Sequence, residues 1–166
     1  IFALTSGKGG VGKSTVSVGL ALSFSKMGYK TLVVDMDEGL RCLDLMLGVD
    51  NEIVFDLSDI LQGKEIGDAV YEINQNLFLI PAPQKSGMID AFNLANFANA
   101  VNNLYDIIVY DFPAGIDFSL YSSLPKSTLF LTVAFPDAIS VRDAAVVSDL
   151  LAKQGLSSKL IINRFQ

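Results

Sequence analysis

A glycine-rich stretch near the start of the chain reads Gly7-Lys8-Gly9-Gly10-Val11-Gly12-Lys13-Ser14-Thr15. It satisfies the pattern G-x-x-x-x-G-K-[ST] of a phosphate-binding P-loop. In such a loop the backbone N–H groups surround the phosphates, and glycine permits their close approach. We expect Lys13 to reach the β- and γ-phosphates of a nucleotide and the Ser14 hydroxyl to bind Mg²⁺. Lys8 is needed for neither task, so it is a surplus charge in this loop.

The residues on either side of the loop favour a strand–loop–helix unit. Ile1-Phe2-Ala3-Leu4 is a short apolar run suited to a buried strand. After the loop, apolar side chains recur at helical spacing, at Val16, Leu20, Phe24 and Met27. The N-terminus of such a helix offers free N–H groups and a favourable dipole to phosphate. The alternative interpretation is an ordinary strand-to-helix turn.

Composition favours a single domain in a reducing cytoplasm. The chain has 166 residues, of which 51% are hydrophobic, a single cysteine (Cys42) and no histidine. The cysteine count excludes a disulfide framework, and the lack of histidine excludes Ser-His and Cys-His nucleophile pairs. The net charge of −6 argues against a broad nucleic-acid footprint. We expect residues 1–166 to form one P-loop ATPase domain with both ends truncated, because the chain starts and stops at strand-like runs.

Short apolar runs alternate with helical patterns along the remainder of the chain. We predict strands over residues 31–34, 77–80, 107–110, 128–134 and 159–162. We predict helices over residues 54–61, 66–73, 88–104 and 141–153. This alternation predicts an α/β, three-layer P-loop NTPase fold, in which helices cover both faces of a mostly parallel sheet.

Carboxylates follow two of the predicted strands at the edge where such a sheet binds its ligands. Asp35 closes one strand and Asp37 lies two residues further, while Asp111 closes another in a Walker B arrangement. These side chains could hold the water shell of Mg²⁺ and position an attacking water. The N–H of Gly115 could meet a γ-phosphate. Asp35 and Asp37 could instead form a solvated acidic turn. Pro113 and Gly115 could likewise form a simple turn.

These motifs resemble the deviant Walker A family of ATPases, the MinD/ParA family, whose P-loop carries a second, signature lysine. Lys8 stands at that position. Further matches are residues 34–44, residues 111–116, and Pro136 with residues 140–144. Two residues favour the MinD branch of the family. Arg41 distinguishes the chain from flagellar regulators, and Ala114 distinguishes it from ParA-type partition proteins. The departure is Cys42, where the MinD branch usually has Asn.

The resemblance implies ATP hydrolysis, with ATP or ADP and Mg²⁺ bound. In the family, ATP lies between two subunits, and the signature lysine reaches the phosphates of the partner subunit as an arginine finger does. The resemblance therefore makes Lys8, Lys13 and Asp37 catalytic, with Asp37 positioning the attacking water.

The resemblance also implies that Ser14, Asp35 and Asp111 hold Mg²⁺ and that Asn163 contacts the adenine base. The remaining nucleotide contacts that it implies are Gly7, Gly9, Gly10, Val11, Gly12, Thr15 and Gly115.

The resemblance also implies partners and a cellular location. Members of the MinD branch form an ATP-dependent homodimer and place the bacterial division septum by cycling on and off the inner face of the cell membrane. In that branch an amphipathic C-terminal helix, which is not within residues 1–166, binds the membrane. MinC-like inhibitor and MinE-like activator partners are implied too, whereas nucleic acid is not expected. Two alternatives stay open: a DNA-partitioning or flagellar-placement ATPase, and a scaffold that binds ATP without hydrolysing it.

Overall fold

The computed structural model describes residues 1–164 as a seven-stranded sheet with helices on both faces. The strands are β1 Phe2–Thr5, β2 Thr31–Asp35, β3 Tyr71–Asn74, β4 Leu77–Ile80, β5 Ile107–Asp111, β6 Leu129–Ala134 and β7 Ser157–Ile162. The helices are α1 Lys13–Lys26, α2 Leu43–Leu47, α3 Leu57–Leu61, α4 Ala91–Val101, α5 Phe118–Ser123 and α6 Ala138–Lys153. Within these residues, no helix is long and apolar enough to cross a membrane.

The strands lie in the order β3-β4-β2-β5-β1-β6-β7, and every neighbouring pair is parallel except β3 with β4. Successive side chains of β2 point to opposite faces, as a strand requires. Leu32 and Val34 pack in a core beneath α3, α4, α5 and α6, whereas Val33 packs in a second core beneath α1 and α2. The predicted layered, mostly parallel α/β fold is therefore confirmed.

One predicted helix is wrong. Residues 66–73 carry apolar side chains at helical spacing, but only Ile66–Ala69 coil, as a 3-10 turn, and the chain then enters β3. An Asx turn closes the hairpin to β4, since the N–H of Asn76 donates to Oδ1 of Asn74 at 3.0 Å. Pairing with β4 therefore prevails over a weak helical pattern. The sequence interpretation also omitted the short helices α2 and α5.

The sheet brings the ends of three strands together. In the strand register Asp35 lies beside Asp111, and Asp111 lies beside Leu4 of β1. The glycine-rich loop leaves β1 at this same edge. Carboxyl ends of parallel strands are where sheets of this type bind ligands. The fold thus places the loop and both strand-end carboxylates at one edge.

Candidate nucleotide-binding site

The glycine-rich loop leads directly into α1. Gly10 and Gly12 have φ angles of 79° and 85°, a left-handed conformation that glycine adopts at little cost. Gly12 is the N-cap of α1, and its carbonyl accepts the N–H of Val16 at 3.0 Å. The first turn of α1 therefore presents N–H groups that have no partners within the helix. Such a helix start favours a bound anion.

A cavity of about 310 Å³ opens over this helix start. It is lined by Ser6, Gly9, Gly10, Val11, Gly12, Lys13, Ser14, Thr15, Asp37, Ala114 and Arg164. Most of the predicted phosphate loop is thus on one surface, together with the carboxylate of a second strand end. The lining combines backbone N–H groups, one lysine cation, one arginine cation and three hydroxyls, which is the chemistry that a polyphosphate requires.

Lys13 lies nearly buried beneath the cavity and contacts Asp111. Its Nζ is 3.2 Å from Oδ1 of Asp111, and the Ser17 hydroxyl donates to the same oxygen at 2.7 Å. The lysine side chain is 9% exposed and that of Asp111 is fully buried. A buried carboxylate needs such a cation, because desolvation of an unpaired charge is costly. Lys13 is thus oriented before any phosphate is present.

The other oxygen of Asp111, Oδ2, is buried and has no hydrogen-bond partner in the described part of the chain. An orphaned carboxylate oxygen fits a water bound to Mg²⁺, because a hydrated Mg²⁺ donates hydrogen bonds to carboxylates. Residues 1–164 contain no cluster of three metal-ligating side chains. A Mg²⁺ ion here would therefore depend on substrate phosphates and waters, with Ser14 as the protein ligand, as is usual for this ion.

Asp35 holds the loop that follows β2. Its carboxylate accepts three backbone hydrogen bonds, from Asp37 at 3.0 Å, Cys42 at 3.2 Å and Leu43 at 3.1 Å. Burial raises the pKa of Asp35 to about 6, against the opposing effect of these hydrogen bonds. Both oxygens are therefore engaged in shaping the loop, and the predicted metal contact of Asp35 stays a prediction.

Asp37 lies on the wall of the cavity and is partly exposed. Desolvation raises the pKa of its carboxyl group, while the Lys13 ammonium lowers it and Asp111 raises it. Of the carboxylates of Asp35, Asp37 and Asp111, only that of Asp37 lines the cavity. It is thus the carboxylate with access to a water molecule beside bound phosphate.

Gly115 lies outside the lining of the cavity, and its predicted γ-phosphate contact stays a prediction. Its N–H donates to the Ser6 carbonyl at 3.0 Å, and its own carbonyl accepts the Tyr121 hydroxyl at 3.0 Å. The same hydroxyl is 2.6 Å from Oγ1 of Thr5. The Gly115 peptide is therefore fixed to the end of β1, and the neighbouring Ala114 reaches the cavity in its place.

Asn163 contacts the glycine-rich loop, and its predicted adenine contact stays a prediction. Its Nδ2 donates to the Val11 carbonyl at 2.8 Å, and its Oδ1 accepts the N–H of Arg164 at 2.9 Å. A Cβ at Gly12 would collide with Nδ2 of Asn163. Asn163 thus supports the loop, and each of its polar atoms keeps capacity for a second hydrogen bond.

Lys8 has an exposed side chain and forms no ion pair with any residue in 1–164. Its neighbour Gly7 is packed closely, since a Cβ there would lie 2.8 Å from Cβ of Asp143 on α6. The loop is therefore anchored at Gly7 while the lysine beside it faces solvent.

Three residues near the cavity were missed from the sequence. Ser17 follows Lys13 by one helical turn, a spacing that would have indicated it. Arg164 lines the cavity, with its guanidinium carbon 4.9 Å from the centre of the Phe135 ring, and no motif pointed to it. Tyr121 is buried, and its role depends on a contact with Thr5 that only the fold reveals.

Cys42 lies at the edge of this site. Its N–H donates to Oδ2 of Asp35 at 3.2 Å. Desolvation raises the pKa of the thiol, so it stays protonated at neutral pH. The residue at the position of the usual Asn is therefore a neutral polar group beside the expected Mg²⁺ ligand.

The chain is similar in sequence and in structure to proteins of the MinD type. The septum site-determining protein MinD of Thermotoga maritima is 33% identical over 174 residues, which cover all of this chain and 64% of that protein. A MinC:MinD cell division complex from Aquifex aeolicus matches with a TM-score of 0.87 at 34% identity, over 99% of this chain and 69% of the matched one. MinD of Pyrococcus horikoshii in complex with Mg-ADP matches with a TM-score of 0.86 at 32% identity, over 99% and 70%.

The chain thus spans about two thirds of the length of these relatives. A family model described as the CobQ/CobB/MinD/ParA nucleotide binding domain matches residues 2–166, nearly the entire chain. The match includes the loop, the cavity and both strand-end carboxylates described above. The chain belongs to the CobQ/CobB/MinD/ParA family of nucleotide-binding domains.

Proposed function

We propose that this chain is the ATP-binding and hydrolysing domain of a MinD-type ATPase that dimerises with ATP and positions the cell-division septum. The observation that carries the proposal is the grouping of Lys13, Asp37 and Asp111 around the helix start, with the exposed Lys8 beside them. Solved structures similar to the chain include MinD proteins, one of them in complex with Mg-ADP. Residues 1–166 act as one domain in this proposal.

The phosphates of ATP bind the N–H groups of the loop, and the Lys13 ammonium turns from Asp111 to the β- and γ-phosphates. The Ser14 hydroxyl would hold Mg²⁺, with Asp111 and Asp35 accepting hydrogen bonds from its water shell, and the ion would supply positive charge to the phosphate oxygens. Asp37 accepts a hydrogen bond from a water molecule and orients its oxygen toward the γ-phosphorus. A bond forms from that oxygen to phosphorus as the bond to the ADP oxygen breaks, giving ADP and inorganic phosphate.

Lys8 completes the site of a second copy of the chain. It is exposed beside the cavity and unpaired by any described residue, so its ammonium is available to the phosphates bound by a partner subunit. A cation supplied in trans stabilises the charge that develops on the transferring phosphoryl group. A single subunit therefore binds ATP and hydrolyses it slowly, and turnover requires the homodimer.

The cellular assignments rest on the family. One of the solved relatives is a complex of MinC with MinD. We infer a MinC-like partner and a MinE-like activator, and a cytoplasmic protein that associates peripherally with the inner face of the membrane through a C-terminal amphipathic segment. The γ-phosphate contact of Gly115 and the adenine contact of Asn163 are part of this proposal.

The test is ATP turnover by the intact protein with anionic phospholipid vesicles, with double-stranded DNA, and with neither. Vesicles with an activator peptide should raise turnover, whereas DNA should not. Stimulation by DNA alone would favour a partitioning ATPase. The variant Asp37→Ala should trap ATP-bound dimers and abolish septum placement in cells. Normal septum placement by that variant would favour a scaffold that does not hydrolyse ATP.

A further inference from the structure

The loop that contains Asp37 is tied to a second loop by an unusual set of contacts. The Glu38 carboxylate accepts three consecutive backbone N–H groups, from Gly87 at 2.9 Å and from Met88 and Ile89 at 2.7 Å each. Gly87 has a φ of 80°, and a positive φ lets successive N–H groups converge on one anion. Glu38 therefore occupies an anion-binding nest in residues 84–90, just before α4.

A second contact fixes the same two loops at their other end. The N–H of Gly39 donates to the Pro83 carbonyl at 2.9 Å. Gly39 has a φ of 80°, and a Cβ there would lie 3.2 Å from Oγ of Ser86. Adjacent residues of one loop thus contact both ends of residues 83–89, so the two loops form a single unit.

Asp37 is held between two carboxylates. On its N-terminal side, its own N–H donates to Oδ1 of Asp35 at 3.0 Å. On its C-terminal side, Glu38 is the next residue and is bound to the nest. One anchor on each side restricts the backbone at Asp37 more than a single anchor would. The orientation of the Asp37 carboxylate follows from that backbone.

We infer that Glu38 is a positioning residue for Asp37: by occupying the nest of Gly87, Met88 and Ile89, it holds the Asp37 carboxylate where it orients the attacking water. Residues 84–87 are exposed, so the nest connects the protein surface to the catalytic carboxylate. The inference rests on the proposed ATPase function, but the contact between the loops does not depend on it.

The test compares Glu38→Ala and Glu38→Gln with the unchanged protein. Glu38→Ala removes all three acceptor contacts and should lower kcat roughly tenfold, since small misplacements of catalytic groups are costly. KM for ATP and the affinity for Mg-ADP should stay within about twofold, because Glu38 contacts no phosphate-binding residue. Glu38→Gln keeps one oxygen for Met88 and Ile89 and should give an intermediate kcat. Glu72→Gln, on the exposed face of β3, is the matched control and should leave kcat unchanged.

Hydrogen exchange supplies a readout independent of turnover. In Glu38→Ala, the amides of residues 87–89 and of residues 36–40 should both exchange faster than in the unchanged protein, with and without Mg-ADP. An unchanged kcat would overturn the inference, as would a parallel loss of kcat, ADP affinity and thermal stability. If the unchanged protein hydrolyses no ATP, the proposed function fails, and exchange alone decides: unaltered exchange at residues 36–40 overturns the coupling.

Discussion

The Nζ of Lys13 lies 3.2 Å from Oδ1 of Asp111, so the cation of the phosphate loop is already paired with an acid from a different strand. When phosphate binds, Lys13 consequently exchanges one anionic partner, Asp111, for another, the phosphate. The gain from the new contact is reduced by the loss of the old one. The other oxygen of Asp111 has no hydrogen-bond partner among residues 1–164, so it can accept a hydrogen bond from water bound to Mg²⁺.

Replacing Lys13 should separate these two effects. We expect Lys13→Ala to lower the affinity for Mg-ADP at least about tenfold, since a charge-assisted hydrogen bond contributes about 1.5–3 kcal/mol. It should also destabilise the nucleotide-free protein, because Asp111 becomes a buried charge without a cation. Calorimetric titration and urea unfolding measure the two quantities.

The double variant Lys13→Ala with Asp111→Asn serves as the internal check. Removing the unpaired charge should recover part of the free energy of unfolding while leaving ADP binding weak. Lys26→Ala, at the exposed end of α1, should change neither quantity. Equal stability of Lys13→Ala and the double variant would show that the pairing with Asp111 does not matter.

Replacing Lys8 should affect assembly and leave the single subunit intact. Because the side chain is exposed and unpaired by any residue in 1–164, Lys8→Ala should retain the free energy of unfolding within about 0.5 kcal/mol. It should also retain Mg-ADP binding, while dimer formation with ATP and turnover are lost. Sedimentation with ATP and a phosphate-release assay test this. Lys85→Ala, in an exposed loop, is the control, and normal dimerisation of Lys8→Ala would contradict the role in trans.

Asp35 should make stability depend on pH in an unusual direction. Its pKa is raised from 3.8 to about 6 in the folded chain, so the folded state binds more protons than the unfolded state between those values. The contribution of Asp35 to the free energy of unfolding therefore falls as pH rises through this window, by at most about 3 kcal/mol, and is constant above it. Urea unfolding between about pH 4 and about pH 7 measures the slope and its disappearance above the window, and Asp35→Asn should remove this share of it.

Tyr121 should stabilise the end of β1 through its hydroxyl alone. Tyr121→Phe keeps the ring contact with Phe112, whose centroid is 4.9 Å away, but leaves Oγ1 of Thr5 and the Gly115 carbonyl without this partner. We expect a loss of about 1–3 kcal/mol in the free energy of unfolding, the cost of unsatisfied buried polar groups. Denaturant unfolding measures it. The exposed Tyr29→Phe is the comparison, and an equal effect of both changes would be the contrary result.

The sequence allowed the layered fold and the phosphate loop to be predicted, because both depend on local patterns. Apolar runs such as residues 107–110, and the spacing of the glycines, are patterns that lie within a few consecutive residues. The strand over Tyr71–Asn74 was missed since its pairing with β4 is a tertiary effect. The engagement of Gly115 by Ser6 and of Glu38 by residues 87–89 joins segments far apart in sequence. No spacing rule encodes such contacts.

Asn163 and Val11 are 152 positions apart, yet their hydrogen bond supports the phosphate loop. The loop is contiguous in sequence, but its final shape depends on β7 having paired with β6. Contacts of such long sequence separation form late in folding, because closing the intervening chain is entropically costly. A chain emerging from the ribosome should thus acquire nucleotide affinity only after its seventh strand has docked. Nucleotide binding would then report that the seven strands described above have been assembled.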